Sequence, residues 1–427
     1  MYAMLIGGEE LAVQATFEVI NPATEEVCGQ APDCSRAELE LAIAAAAEAL
    51  PMWRVDMSKR RQVLLDCADA LRAHAEDLAE VLTMEQGKPR ARALNEIMGS
   101  AAWLSYTATL DLPMEVIKDD ETSLVEVHRK PIGIVGAITP WNYPVMMAVW
   151  KFAPAILAGN TVVLKSSPYT PLATLAMARL LNGIIPPGVV NFLSGGDDLG
   201  KWIVAHPQVR KVTFTGSTAA GKHVAAALAP DLKRMTLELG GNDPAIVFSS
   251  VNVQETAQKL FTASFENCGQ VCVAIKRVYV HESILQPLVD ALVQLAEAAV
   301  VGDGSDSTTT MGPLNNQAQL ERVMSLAEAA KAAGGSVLTG GARLNGKGYF
   351  YPPTLVTGLD DSNPLVAEEQ FGPILPIVAF TDEGEVVARV NNSSFGLAAS
   401  VWSADLEQAR RVAEALETGT VWINQHL

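Results

Sequence analysis

The chain has 427 residues, 49% hydrophobic and 19% charged, with a formal net charge of −17 at pH 7. That length calls for two or three domains, and that composition describes a packed globule rather than a disordered chain. The negative balance argues against nucleic acid or an anionic membrane surface as partner, because both need clustered Lys and Arg. A phosphate-bearing cofactor stays open, since backbone N–H groups and one lysine can hold a pyrophosphate.

No apolar run reaches the ~18 residues that a membrane helix needs. The opening MYAMLIGGEE has no basic start and is not read as a secretory signal. The five cysteines (Cys28, Cys34, Cys67, Cys268 and Cys272) lack regular spacing and point to free thiols in a reducing cytoplasm. Cys268 and Cys272 form a C-x₃-C pair without a second His-bearing cluster, so no metal is expected.

In chain order, residues 1–35 read as short strands and turns, opening with a MLIGGEE hairpin and turning again at Asn21-Pro22. Ser35-Arg36-Ala37-Glu38 is a capping-box pattern before an alanine-rich helix to about Leu50. The spacing predicts one helix from Ser58 to a stop at Gly87, then another over about 91–108. Residues 113–129 switch to strand–turn–strand, with Val116, Ile117, Leu124, Val125 and Val127 too apolar for a ribbon free in water. From Pro131 the pattern becomes strand–loop–helix: GIVGAI (133–138), NTVVL (160–164), 189–192, 211–215 and 234–239, each followed by a polar or Gly-rich tip. Residues 242–427 repeat the style, with strands at 245–248, 277–281, 371–380, 397–402 and 419–423. Such alternation implies α/β architecture with doubly wound parallel sheets, whose ligands bind beyond the carboxyl ends of the strands.

The tips carry the chemistry. In FENCGQVCVA (265–274), Cys272 follows Gly269-Gln270 and lies between two valines. It is either a buried thiol behaving as a small hydrophobe or a nucleophile presented from a strand-entry turn. GxGxxG is absent, and Gly133 with Gly136 is a weak signal alone. PWNYP (140–144), FTGS (214–217), LELGG (237–241), GQVC (269–272) and EEQFGP (368–373), in this order and at these separations, together resemble the aldehyde dehydrogenase superfamily.

The resemblance implies two doubly wound domains, a Rossmann-like cofactor domain (1–112 and 130–241) and a catalytic domain (242–427), with 113–129 as an oligomerisation hairpin. It implies NAD-dependent oxidation of an aldehyde to the acid through a thiohemiacetal and thioester. In that scheme Cys272 is the nucleophile, Asn142 an oxyanion donor, and Glu238 the general base for the hydrolytic water, partly desolvated between Leu237 and Leu239. Lys151 supports the same network. Cofactor contacts fall to Ile138, Thr139, Pro140, Trp141, Lys165, Gly216, Ser217, Leu239, Gly240, Glu369 and Phe371. Pro168 stands where NAD-preferring relatives often place an acidic residue, so NADP is expected to be tolerated.

Tyr143, Met147 and Trp150 match the aldehyde tunnel and favour apolar or aromatic substrates; Val271, Val273 and Glu266 join the same pocket, Glu266 making one wall polar where relatives frequently carry an aromatic. The implied assembly is a homodimer or homotetramer, in the cytoplasm, with no nucleic-acid or membrane partner. The family continues for some dozens of residues past Asn424-Gln425-His426, with a loop lining the tunnel and a strand that pairs with a neighbouring subunit. Two alternative readings are transfer of the acyl group to coenzyme A and a non-catalytic structural or binding homologue.

Overall fold

The computed structural model describes residues 2–427, which fall into two compact units. The first comprises residues up to Ile20, Val27–Gln86 and Arg90–Glu238; the second comprises Asn21–Glu26, Gly87–Pro89 and Leu239–Leu427.

The first unit begins with the hairpin β1 (Met4–Ile6) and β2 (Glu9–Leu11), turned at Gly7-Gly8, both at positive φ. A second hairpin follows, β3 (Thr16–Asn21) with β4 (Glu26–Pro32). Four helices come next: α1 (Arg36–Trp53), α2 (Met57–Ala73), α3 (Ala75–Gln86) and α4 (Arg90–Thr109). The capping box at the start of α1 is present, with Ser35 and Glu38 reciprocally bonded.

The single helix expected from Ser58 to Gly87 is two helices, broken at His74 (φ −117°, ψ 24°). The buried residues Leu64, Cys67, Ala68, Leu71, Ala75, Leu78, Ala79 and Leu82 keep helical spacing straight through that break. The periodicity therefore carries no mark of it.

After the hairpin β5 (Glu115–Asp120) and β6 (Ser123–Val127), the parallel pattern sets in. It runs β7 (Ile134–Ile138), α5 (Pro144–Leu157), β8 (Thr161–Lys165), α6 (Leu172–Leu181), β9 (Val190–Leu193), α7 (Asp197–Ala205), β10 (Val209–Thr215), α8 (Thr218–Leu228) and β11 (Arg234–Glu238). The sheet order is β11-β10-β7-β8-β9-β1-β2, parallel from β11 to β9, with β1 and β2 antiparallel at one edge. Strands β7, β8 and β9 are buried along their whole length, as expected where helices cover both faces. The winding reverses between β7 and β10, which creates a switch-point crevice at their carboxyl ends.

The second unit contains β12 (Asp243–Val247), α9 (Val253–Phe265), β13 (Ile275–His281), α10 (Leu285–Ala298), α11 (Gln317–Ala332), β14 (Ser336–Thr339), β15 (Thr354–Thr357), α12 (Pro364–Ala367), β16 (Ile374–Phe380), α13 (Glu383–Asn391), β17 (Ala398–Trp402), α14 (Leu406–Ala415) and β18 (Thr420–Ile423). Its sheet runs β14-β15-β16-β13-β12-β17-β18, antiparallel only at β14. Ile246, Val247, Val278, Val280, Ile377 and Val401 form its core. The pairing of β12 with β13 is regular except at one place. Asp243 faces Ile275 and Pro244 faces Arg277, so Lys276 is an extra residue, a β-bulge.

Candidate active site

In the first unit the cofactor candidates share one level of the sheet. Ile138 pairs with Lys165 on one side and Phe214 on the other, and Thr215 pairs with Glu238. All five lie at or within one residue of the carboxyl ends of β7, β8, β10 and β11, where a doubly wound sheet binds its ligand. Thr139 is buried, and its N–H and hydroxyl both donate to the Lys165 carbonyl. Pro140 and Trp141 are half-buried just beyond it.

Gly216 has no room for a side chain, because a Cβ there would come within 2.6 Å of the Phe214 ring. Ser217 caps α8, accepting the Ala220 N–H at 3.2 Å, and leaves the helix N-terminus facing the crevice with its polar end. A glycine step before a capped helix, with a buried lysine two strands away, fits a pyrophosphate-bearing dinucleotide. Lys165 is buried, and desolvation brings its ammonium down to about 8, opposed by the carboxylates of Asp197 and Asp33 and the thiol of Cys34.

Asn142 is buried just before α5, and Pro144 occupies the helix's first turn. Lys151 lies within α5 itself, buried, with Nζ donating to Thr215 Oγ1 at 2.7 Å and Thr213 Oγ1 at 3.3 Å. Burial lowers its pKa to about 8, while the Glu238 carboxylate pulls the other way. Glu238 itself is exposed at the carboxyl end of edge strand β11, not desolvated as its leucine neighbours suggested. Leu237 and Leu239 are each only half-buried, so flanking apolar residues do not make a dry wall here. Tyr143 and Met147 are half-buried, and Trp150 is exposed and stacked on Trp103 with ring centroids 4.9 Å apart.

In the second unit the functional candidates gather at the amino ends of the strands, opposite in sense to the first sheet. After α9 the chain takes three left-handed residues in succession, Asn267 (φ 49°), Cys268 (φ 61°) and Gly269 (φ 71°). Two of them are not glycine, at a cost of about 1–2 kcal/mol each. The turn is held by Gln270, whose Nε2 donates to the Asn267 carbonyl and whose Oε1 accepts the Asn315 N–H, both at 2.9 Å. A Cβ on Gly269 would sit 2.4 Å from the Gly372 carbonyl oxygen, so the GQVC and EEQFGP segments meet backbone to backbone at this point.

That turn buries Cys268 completely and leaves Cys272 half-exposed in the bend before β13. Burial pushes both thiols up; at Cys272 the Lys276 ammonium opposes this, while Asp243 and Glu369 reinforce it. Val271 is buried and Val273 half-buried beside it. Glu266 lines a cavity together with Thr262, Ala263 and His426.

Glu369 reaches the LELGG glycines. Its Oε1 accepts the Gly241 N–H at 3.1 Å, and a Cβ on Gly240 would fall 2.1 Å from its Oε2. Phe371 is left-handed (φ 49°), which aims the segment back towards the Cys turn. Gly241 also abuts the Cys272 carbonyl, since an added Cβ would approach it to 2.7 Å. Three of the five sequence motifs thus meet at one edge of the second sheet.

Sequence reasoning missed two buried groups here, Lys276 and Asp243. The sequence signal for Lys276 was only a lysine four residues after the cysteine, and its role depends on the bulge. Asp243 is buried, with burial pushing its carboxyl up to about 7 against the pull of Lys276. Among the described residues no group of three or more His, Cys, Asp or Glu side chains is arranged to hold a metal ion, and no helix is long and apolar enough to cross a membrane.

Residues 11–427 match the family model described as "Aldehyde dehydrogenase family". A "Probable aldehyde dehydrogenase" from a Pseudomonas species is 42% identical over 401 residues, covering 93% of this chain and 82% of that protein. "Phenylacetaldehyde dehydrogenase" from Pseudomonas fluorescens is 39% identical over 444 residues, covering 100% of this chain and 88% of the relative. An aldehyde dehydrogenase from Bacillus cereus, solved as its NAD⁺ complex, superposes with a TM-score of 0.97 at 37% identity, covering 100% of this chain and 89% of that one. On this match, with its motifs at the edges of two doubly wound sheets, the chain belongs to the aldehyde dehydrogenase family, oxidoreductases that act on aldehydes.

Proposed function

We propose that this protein oxidises an apolar or aromatic aldehyde to its carboxylic acid, with NAD as the preferred acceptor and covalent chemistry at Cys272. The observation that carries the reading is the meeting of Cys272, Gly241 and Glu369 at one sheet edge. The dinucleotide, when bound, supplies the hydride acceptor. In the first unit, residues 138–141, Lys165, Gly216 and Ser217 would hold its pyrophosphate and adenosine end; in the second unit, Glu369, Phe371, Leu239 and Gly240 are the cofactor residues that the family resemblance implies.

Cys272 Sγ attacks the aldehyde carbon as thiolate, forming a C–S bond while the carbonyl oxygen takes the electron pair. The Cys272 backbone N–H donates to that oxyanion, and a fixed donor of this kind contributes about 3–4 kcal/mol. After oxidation the thioester is cleaved by water. Glu238 takes the proton from that water. Exposure of Glu238 suits this role, since its task is to meet solvent.

Aromatic preference is supported by Tyr143 and Trp150 and by the relative named for phenylacetaldehyde. Preference for NAD is supported by Asp197 and Asp33 beside Lys165, which supply the negative field that Pro168 does not. The hairpin β5–β6 exposes Val116, Ile117, Leu124, Val125 and Val127 at 40–63%, and we assign it to a homo-oligomer interface. A screen for NADH formation over aliphatic and aromatic aldehydes, with acid and acyl-CoA products separated, tests the reading. Reduced cofactor and free acid are expected; no NADH with any aldehyde would overturn it.

A further inference from the structure

Lys276 is a charged side chain with 3% of its surface exposed, and it lies between two of the groups just assigned. Its ammonium has three N–H donors. They meet the carbonyls of Val271 at 2.7 Å, Cys272 at 2.7 Å and Ala274 at 3.4 Å, and the Glu369 carboxylate lies 3.6 Å away. All three carbonyls belong to the bend that carries the cysteine.

The bulge explains how a strand residue reaches backwards. In regular pairing Lys276 would alternate with Ile275 and Arg277 across the sheet, but as the extra residue it is released from the β12 ladder. Its own carbonyl is held by Gln370, the neighbour of Glu369, whose Nε2 donates to it at 2.8 Å. The cysteine bend and the EEQFGP segment are therefore joined twice through one residue, by its side chain and by its main chain.

We propose that Lys276 is the positioning residue of the nucleophile: it fixes the Cys272 bend, supplies the positive charge nearest the thiol, and locks that bend to Glu369. The proposal rests on reading Cys272 as the nucleophile and Glu369 as a cofactor ligand. The charged and titratable groups around Cys272 are Lys276, which favours its thiolate, and Asp243 and Glu369, which oppose it. His426 packs behind the bend with Nε2 on the Val273 carbonyl at 2.7 Å; burial holds its pKa down to about 4, so it is neutral and adds no charge.

The test is the pH dependence of carbamidomethylation at Cys272 by iodoacetamide, followed by mass spectrometry of the Cys272 peptide on cofactor-free protein. Lys276→Met removes the charge and should move the midpoint upward, slowing labelling about tenfold for each unit moved below the midpoint. Lys276→Arg keeps the charge and should restore most of the midpoint. Glu369→Gln removes an opposing charge and should move the midpoint downward, and this sign holds even if Lys276→Met does not fold. A midpoint unmoved in Lys276→Met, or one that rises in Glu369→Gln, overturns the proposal. Cys272→Ala separates the two levels. If it retains aldehyde turnover, the functional reading fails and the tie with it; if it is inactive while Lys276→Met labels like wild type, only the tie fails.

Discussion

The Glu96 carboxylate, on α4, accepts the backbone N–H groups of Val145 and Met146 at 3.0 and 3.1 Å. Helix α5 needs this, because its N-cap residue Tyr143 makes no side-chain cap and Pro144 has no N–H. A buried acid 49 positions upstream in sequence thereby fixes the helix start that follows Asn142. Glu96→Ala leaves two amide donors unsatisfied in a dry site and should cost about 1–3 kcal/mol. It should also lower kcat by roughly ten- to a hundredfold as Asn142 shifts. Thermal unfolding with steady-state kinetics checks both, and wild-type kcat in a destabilised variant would confine Glu96 to stability.

The two neighbouring cysteines should separate cleanly. Cys272→Ala abolishes both aldehyde oxidation and any esterase side activity, whereas Cys268→Ala keeps the chemistry and loses about 1–2 kcal/mol of stability from a small buried void. Turnover near wild type in Cys272→Ala would move the nucleophile to Cys268, against the complete burial of that thiol.

Glu238→Gln should give one rapid turnover of NADH and then stall, because oxidation precedes the step that needs the base. Stopped-flow absorbance at the NADH band reads this directly. Disappearance of the burst together with the steady state would place Glu238 earlier in the reaction.

Asp197, at the first turn of α7, is the leading negative influence on Lys165. Replacing it by Ser should raise the NADP-to-NAD ratio of kcat/KM by roughly fivefold, the scale of one like-charge pair in water. An unchanged ratio would remove Asp197 from cofactor selection and leave Asp33 as the carboxylate to test.

Glu85 is fully buried, accepting the Leu172 and Ala173 N–H groups at 2.6 and 2.8 Å, and burial pushes its carboxyl up to about 8. From about pH 4.5 upward the unfolded chain loses this proton while the folded chain keeps it. The contribution is fully present below the unfolded value and is lost as pH rises towards 8. Glu85→Gln should therefore flatten the fall of Tm between pH 5 and 8; an identical slope in the variant would show that Glu85 is ionised in the native state.

What could be read from sequence follows from where the information resides. Parallel strands buried on both faces announce themselves as apolar runs such as GIVGAI and NTVVL. Their tips must be polar or glycine, so PWNYP, FTGS, LELGG, GQVC and EEQFGP stand out against that background. Glu85, Glu96 and Lys276 do not, because each acts on backbone groups whose proximity is set by packing rather than by neighbours in the chain. His74 hid a helix break for the related reason that both helices share one buried stripe. The strands 336–339 and 354–357 also escaped notice, being four residues each with little alternation.

The left-handed turn at Asn267–Gly269 has a consequence for the order in which the molecule becomes competent during translation. Two of the contacts that hold this segment come from further along the chain: Asn315 is 45 positions beyond Gln270, and Gln370 is 94 positions beyond Lys276. At about 5–20 residues per second, a ribosome that has just made Lys276 needs roughly 5–20 s more before those partners exist. Through that interval the nascent chain carries an ordinary cysteine on a relaxed loop. The reactive geometry arrives only when the chain behind it is long enough to impose it.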